Sequence, residues 1–120
     1  IDHGADGIGV STHGGRQVDG SISAIEALPA VAEEVDGEVP ITFDSGVRRA
    51  SDAFKAIALG ADAVLLGRPY AYALAVDGAD GVETYLRNFV AEFDLTMGLS
   101  GIDDVDEVGR DAVRHESTLY

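Results

Sequence analysis

The feature of this 120-residue chain that most constrains its fold is a pattern that occurs three times: a short apolar stretch, a polar loop with glycines, and a helix-forming segment. The apolar stretches are residues 8–11, 40–43 and 63–66, and their length is typical of buried strands. Strands that alternate with helices pair in parallel through right-handed crossovers, as in doubly wound sheets and (β/α)8 barrels. The sequence therefore predicts an α/β fold with about three βα units.

The first helix is predicted by Ser23 and Glu26, which have the spacing of a capping box. Gly37 is expected to end it. Pro29 leaves two alternatives open, because it can lie in the first turns of one helix or begin a second helix. The residues that share the apolar face of this segment are Ile25, Leu28, Val31, Ala32 and Val35.

The second helix is predicted to have Ser51 as its N-cap, Asp52 in its first turn and Gly60 as its C-cap. Its inward face would consist of Phe54, Ile57 and Ala58.

After the third strand, a short helix is predicted through Tyr72 and Leu74, and residues 82–97 form the clearest amphipathic helix. One more short helix is expected to start at Asp103 or Asp104, and the tail from Arg114 to be extended or loose. The apolar face of the amphipathic helix consists of Val82, Tyr85, Leu86, Phe89, Val90 and Phe93.

Acidic residues outnumber basic ones by 22 to 8, and the net charge of −14 argues against nucleic acid or an anionic membrane as partner. There is no cysteine and no cluster at ligand spacing, so no metal site is predicted. Without an apolar span or signal segment, we expect a soluble, cytoplasmic protein. Only one basic residue is a lysine, Lys55, and this composition leads us to interpret the chain as halophilic.

Polar side chains and glycines follow all three predicted strands. Chemistry collected from consecutive βα loops is the pattern of a (β/α)8 barrel, which takes about 250 residues. The chain would supply less than half of one, and its start in mid-element, without methionine, indicates a piece of a longer domain. The loop residues are Ser11, His13 and Arg16, then Asp44 and Arg48, then Gly67 and Arg68.

His13 and Arg16 suggest chemistry on a small carboxylic acid. Histidine can accept a proton near neutral pH, and a guanidinium can bind a carboxylate through two parallel hydrogen bonds. The alternative is an ordinary loop histidine beside a surface arginine.

The loops at residues 44–48 and 67–68 suggest a phosphate and polyol site. Barrels frequently bind phosphate in the loops after their last two strands, with backbone N–H groups, a helix N-terminus and a cation. The alternative is a salt bridge between Asp44 and Arg48 or Arg68. Tyr70 and Tyr72 lie near the third loop and could reach a ligand, although packing against the barrel is the favoured role. His3 and His115 are expected to be exposed or structural.

Four segments resemble the signature blocks of the FMN-dependent α-hydroxy acid dehydrogenases and oxidases, which include glycolate oxidase, lactate oxidase and lactate 2-monooxygenase. The segments are residues 11–20 (STHGGRQVDG), 44–49 (DSGVRR), 54–61 (FKAIALGA) and 67–69 (GRP). The resemblance covers nearly the whole chain and implies the C-terminal part of a (β/α)8 TIM barrel, strands six to eight with the closing helices. Residues 1–120 would then be the C-terminal portion of a single barrel domain.

The resemblance also implies a role for each site residue. FMN would be the cofactor, and a small L-2-hydroxy acid such as lactate would be oxidised to the 2-oxo acid. His13 would be the catalytic base, Arg16 would bind the substrate carboxylate and Ser11 would contact the flavin. The ribityl and phosphate groups of FMN would be bound by Asp44, Gly46, Arg48, Gly67 and Arg68.

Residues 67–72 (GRPYAY) and 93–97 (FDLTM) look most like the lactate 2-monooxygenase branch. The implied partners are the missing N-terminal part of the barrel and further copies of the complete enzyme, as a homo-oligomer.

The chain departs from the family pattern at Thr12, Ser45 and Ala50, where the family usually has asparagine, glycine and glycine. Thr12 lies beside the catalytic base. Ser45 and Ala50 are expected to be tolerated, because a side chain is tolerated wherever φ is negative. Two rival hypotheses are another FMN barrel, such as type 2 isopentenyl diphosphate isomerase, and a non-catalytic truncated half-barrel that binds only FMN or phosphate. The chain alone is expected to be inactive.

Overall fold

The computed structural model describes residues 1–115, in which three short strands form one parallel sheet. The strands are β1 (Ile8–Val10), β2 (Ile41–Phe43) and β3 (Ala63–Val64), and their order in the sheet follows the chain. Ile8 pairs with Ile41, and Thr42 pairs with Ala63. The predicted α/β fold with parallel strands is confirmed. The predicted tail lies mostly beyond the described residues.

Helix α1 spans Ala24–Val35 and runs through Pro29 without a break, so the first of the two alternatives is correct. Ser23 is the N-cap, and its hydroxyl donates to Oε2 of Glu26 at 2.6 Å. This hydrogen bond holds the pKa of the Glu26 carboxyl below its ordinary value. Asp36 and Gly37 follow the helix with positive φ, as predicted for its end.

Helix α2 spans Ala50–Ala58, and the predicted N-cap is wrong: the cap is Arg49, not Ser51. The reason is the carboxylate of Asp52, whose Oδ2 accepts hydrogen bonds from the backbone N–H groups of Arg48 and Arg49, at 3.0 and 3.1 Å. These bonds satisfy donors that a helix start leaves free, so the helix begins before Ser51.

Helix α3 spans Arg68–Leu99 and is broken at Asp77 and Gly78, where the dihedral angles are not helical. Its two parts correspond to the two helices predicted for this region. Leu86 and Val90 belong to the predicted apolar face of the second part, but they are 44% and 60% exposed. Beyond α3, short 3-10 turns span Val105–Glu107 and Arg110–Ala112, and the first begins after Asp104, one of the two predicted starts.

Helices α1 and α2 cover only one face of the sheet. Val10, Ile41 and Phe43 are buried against them. The opposite face carries the row Gly9, Thr42 and Ala63, which is exposed or half-buried. The radius of gyration is 15.4 Å, against about 14 Å for a compact domain of this length. An uncovered inner face is what a portion of a closed barrel presents.

Gly60 packs against α1 so closely that a side chain does not fit. A Cβ atom built there would lie 2.5 Å from Cβ of Ala32, and Gly60 has φ +109°. Gly60→Ala should therefore lower the free energy of unfolding by about 1–3 kcal/mol. The urea-unfolding midpoint measures this effect.

Gly101→Ala is the matched control, because Gly101 also has positive φ (+76°) but open space around it. A loss at Gly60 no larger than the loss at Gly101 would show that backbone conformation alone, rather than contact with α1, limits this position.

Candidate active site

A cavity of about 560 Å³ lies beyond the carboxyl ends of the three strands. The loops after β1, β2 and β3 all contribute to its lining, as expected for parallel strands whose ends meet at one edge. Ser11 does not line the cavity. The other predicted site residues do: His13, Arg16, Asp44, Gly46, Arg48, Gly67 and Arg68.

Three arginines line this cavity and have no carboxylate partner among the described residues: Arg16, Arg48 and Arg68. Within residues 1–115, the only ion pair joins Glu83 and Arg87 on the surface of α3. The predicted alternative, a salt bridge from Asp44 to Arg48 or Arg68, is therefore not formed among these residues. Nη2 of Arg68 donates only to the carbonyl oxygen of Gly14, at 3.4 Å. The cavity is cationic in a chain of net charge −14.

The carboxylate of Asp44 connects the loop after β1 with the loop after β2 through hydrogen bonds. Its Oδ1 accepts hydrogen bonds from the hydroxyls of Ser11 and Ser45, both at 2.7 Å. The hydroxyl of Ser11 also accepts a hydrogen bond from the backbone N–H of His13, at 2.9 Å. In the described part of the chain, no donor reaches Oδ2 of Asp44, so this oxygen is available to a ligand.

The expectation for Ser45 is wrong, because its φ is +88° rather than negative. This conformation is left-handed and favours glycine, the residue usual in the family. Ala50 is the first residue of α2 and is buried, so the expectation for this position is met.

His13 lies at the start of a 3-10 turn, His13–Gly15, and its φ is +53°. The residue is exposed, and its ring makes no hydrogen bond with any other residue between 1 and 115. Among the described residues, nothing therefore separates the imidazole from a molecule in the cavity. His3 and His115 lie outside the cavity lining and are exposed, as expected.

Tyr72 lines the cavity and is 65% exposed, a position from which it could reach a ligand. The sequence signal was its distance of only five residues from Gly67. The apolar wall of the cavity was not predicted at all. It consists of Val47, Leu65, Leu66 and Pro69.

Helix α3 contacts the loop after β2 through two hydrogen bonds, and the sequence did not predict these contacts. The hydroxyl of Tyr85 donates to the carbonyl oxygen of Arg48 at 3.4 Å, and Oε2 of Glu92 accepts from the backbone N–H of Ala50 at 3.3 Å. Burial raises the pKa of Tyr85, and the carboxylates of Glu92 and Asp52 raise it further. The hydroxyl therefore remains a donor at neutral pH.

None of the helices within residues 1–115 is both long and apolar enough to cross a bilayer. The same residues contain no group of three or more acidic or histidine side chains that could hold a metal ion.

Comparison with known proteins supplies a family. Residues 1–115 match the family profile described as FMN-dependent dehydrogenase. A peroxisomal (S)-2-hydroxyacid oxidase of Arabidopsis thaliana is 49% identical over 98% of this chain, which corresponds to 32% of that protein. An L-lactate dehydrogenase of Xanthomonas oryzae is 51% identical over 92% of this chain, or 28% of that protein.

The solved structures include a mandelate oxidase variant described with a monooxide FMN adduct. Its TM-score is 0.88 at 46% identity, over 91% of this chain and 35% of that chain. The fold is therefore a portion of the (β/α)8 barrel of these enzymes, as predicted. The chain spans about a third of the length of the proteins it matches.

Proposed function

Because the chain belongs to the FMN-dependent dehydrogenase family, we propose that residues 1–120 are the C-terminal part of a barrel enzyme that oxidises a small L-2-hydroxy acid with FMN. The observation that carries this proposal is the cavity itself, which is lined by three guanidinium groups and one imidazole. Within residues 1–115, none of the three guanidinium groups forms an ion pair, and the imidazole makes no hydrogen bond. A cationic site with one proton acceptor suits an anionic cofactor and an anionic substrate.

The residues around the second and third loops fit the cofactor. Arg48 and Arg68 supply two cations for a phosphate, and α3 begins at the cavity, so its free backbone N–H groups add to an anion site. The free Oδ2 of Asp44 can accept a hydrogen bond from a ribityl hydroxyl. FMN, when bound, would accept the two electrons that leave the substrate.

The residues of the first loop fit the substrate. Arg16 would bind the carboxylate through the planar fork of its guanidinium and so place carbon 2 of the hydroxy acid. His13 would accept a proton from the substrate as the electrons leave. Oxidation removes the hydrogen on the hydroxyl and the hydrogen on carbon 2 together with two electrons. Whichever of the two leaves as a proton needs a base beside the substrate.

We propose lactate as the substrate and a reaction of the lactate 2-monooxygenase or oxidase type. The resemblance of residues 67–72 to that branch supports this choice, and Tyr72 in the cavity lining belongs to the segment. The proposal extends to a cytoplasmic location, a homo-oligomer and a halophilic protein, and the excess of carboxylates over basic groups supports the last of these.

The alternative is a non-catalytic half-barrel, and the uncovered inner face of the sheet favours it for the 120-residue chain by itself. The two are separated by preparing this chain alone and a longer protein in which the remaining barrel strands precede it. We expect flavin absorbance and its bleaching by lactate only in the longer protein. Bleaching by the chain alone would contradict the need for the other strands, and a longer protein without flavin would contradict the proposed function.

Arg48→Gln and Arg68→Gln test the cofactor site in the longer protein. Each should weaken FMN binding about 10- to 100-fold, because a charge-assisted hydrogen bond to phosphate is lost. Flavin fluorescence on titration with FMN measures the dissociation constant. Arg49→Gln is the matched control, because Arg49 is exposed next to Arg48 but does not line the cavity. If Arg49→Gln weakened FMN binding equally, the effect would come from the net charge of the protein and not from a contact with the phosphate.

Turnover of isopentenyl diphosphate instead of lactate would favour the isomerase hypothesis.

A further inference from the structure

The loop that carries His13 has an uncommon backbone. Three consecutive residues, His13, Gly14 and Gly15, have positive φ of +53°, +66° and +71°. Glycine adopts this conformation freely, but histidine does so at a cost, because its Cβ approaches the backbone. The surrounding structure must therefore stabilise the loop for His13 to keep its position.

The hydroxyl of Ser45 provides that stabilisation from the neighbouring loop. It accepts hydrogen bonds from the backbone N–H of Thr12 at 3.1 Å and from that of Gly14 at 3.0 Å, one on each side of His13. Its own proton goes to Oδ1 of Asp44 at 2.7 Å. A hydroxyl has one proton and two lone pairs, so Ser45 uses its complete hydrogen-bonding capacity here.

Ser11 cannot replace Ser45 in this arrangement. The two hydroxyl oxygens are 3.5 Å apart. Both protons are directed at Asp44, and the N–H of His13 takes one of the two lone pairs of Ser11. The lone pair that is left could accept from only one of the two N–H groups that Ser45 binds. The N–H groups of Thr12 and Gly14 therefore depend on Ser45 alone among the described residues.

Ser45 itself is held in an unfavourable conformation, since its φ is +88°. Glycine would adopt this conformation without strain but would leave both N–H groups without their acceptor. Ser45 thus combines a strained backbone conformation with hydrogen bonds to the loop that carries His13. Backbone strain of this kind is typical of functional sites.

We propose that Ser45 is a positioning residue, which fixes His13 through the backbone on both sides of it. The proposal rests on the proposed function, in which His13 is the base. Ser45 lines the cavity, but its hydroxyl has no hydrogen-bonding capacity left, so the proposal assigns it no hydrogen bond to substrate or cofactor. Loss of the hydroxyl should loosen the His13 loop and slow proton removal, while the arginines that would hold FMN remain in place.

Two substitutions separate the hydroxyl from the backbone strain. Ser45→Ala removes the hydroxyl but keeps the Cβ atom at positive φ, whereas Ser45→Gly removes both. In the longer protein, both variants should slow flavin reduction by lactate about tenfold, the equivalent of one hydrogen bond. The Michaelis constant and the FMN dissociation constant should stay unchanged. Ser51→Ala is the control, because Ser51 lies on α2 outside the cavity lining.

Amide hydrogen exchange gives a readout that does not depend on turnover. In the FMN-free protein, the amides of Thr12 and Gly14 should exchange about tenfold faster in both Ser45 variants than in wild type and Ser51→Ala. Unchanged amide exchange at Thr12 and Gly14 would show that the Ser45 hydroxyl does not hold these N–H groups. Flavin reduction at the wild-type rate in Ser45→Gly would overturn the role of Ser45 in positioning the base. A parallel loss of FMN binding would also overturn it, because the effect would then not be confined to the loop that carries His13. If wild-type protein oxidises no 2-hydroxy acid, the proposed function fails, while the exchange result still decides whether Ser45 holds the loop.

Discussion

His13→Gln should slow the reduction of bound flavin by lactate about 10²- to 10⁴-fold in the longer protein, the usual contribution of a general base. Glutamine is polar and of similar length but cannot take up a proton at neutral pH. The ring of His13 makes no hydrogen bond within residues 1–115, so its removal should leave the fold and FMN binding unchanged. Anaerobic stopped-flow absorbance of the oxidised flavin measures the rate.

His3→Gln is the matched control, because His3 is also exposed but lies away from the cavity. We expect it to reduce flavin at the wild-type rate. If His13→Gln did the same, another group would have to be the base, and the proposed mechanism would be wrong.

Arg16→Lys should raise the Michaelis constant for lactate about 10- to 100-fold while FMN stays bound. Lysine keeps the positive charge but replaces the planar fork by a single ammonium group, which cannot hold a carboxylate through two parallel bonds. Arg16 lines the cavity and forms no ion pair in the described part of the chain, so its substitution removes no structural contact with a carboxylate. Steady-state kinetics over a range of lactate concentrations gives the constant.

Arg49→Lys controls for the substitution itself, since Arg49 is exposed outside the cavity lining. An unchanged Michaelis constant in Arg16→Lys would assign the carboxylate to another residue. A loss of FMN in the same variant would instead place Arg16 at the cofactor.

The order of strands and helices could be predicted from the sequence, because periodicity and capping patterns are local. The start of α2 could not, since the Asp52 carboxylate binds the N–H groups of Arg48 and Arg49 in preference to a cap at Ser51. The exposure of Leu86 and Val90 was also unpredictable. A helical pattern shows which residues share a face but not how much of that face a neighbour covers.

Most of the predicted site residues line one cavity, because parallel strands bring the loops that follow them to one edge. The hydrogen bonds of Ser45 could not be predicted, because they join backbone N–H groups more than thirty positions away. Tyr72 shows the same limit, since only the path of α3 determines that it faces the cavity.

The agreement between sheet order and chain order has a consequence for inheritance. Every residue that lines the cavity falls between His13 and Tyr72, about half of the chain. The proposed base, the arginine proposed to bind the substrate carboxylate and the two arginines proposed to bind phosphate thus lie in one continuous stretch of the sequence. Recombination at two points could move this set between related genes without separating the loops that Ser45 and Asp44 join. Homologous barrels could in this way exchange the residues that line this cavity, while each barrel keeps the strands that this chain does not contain.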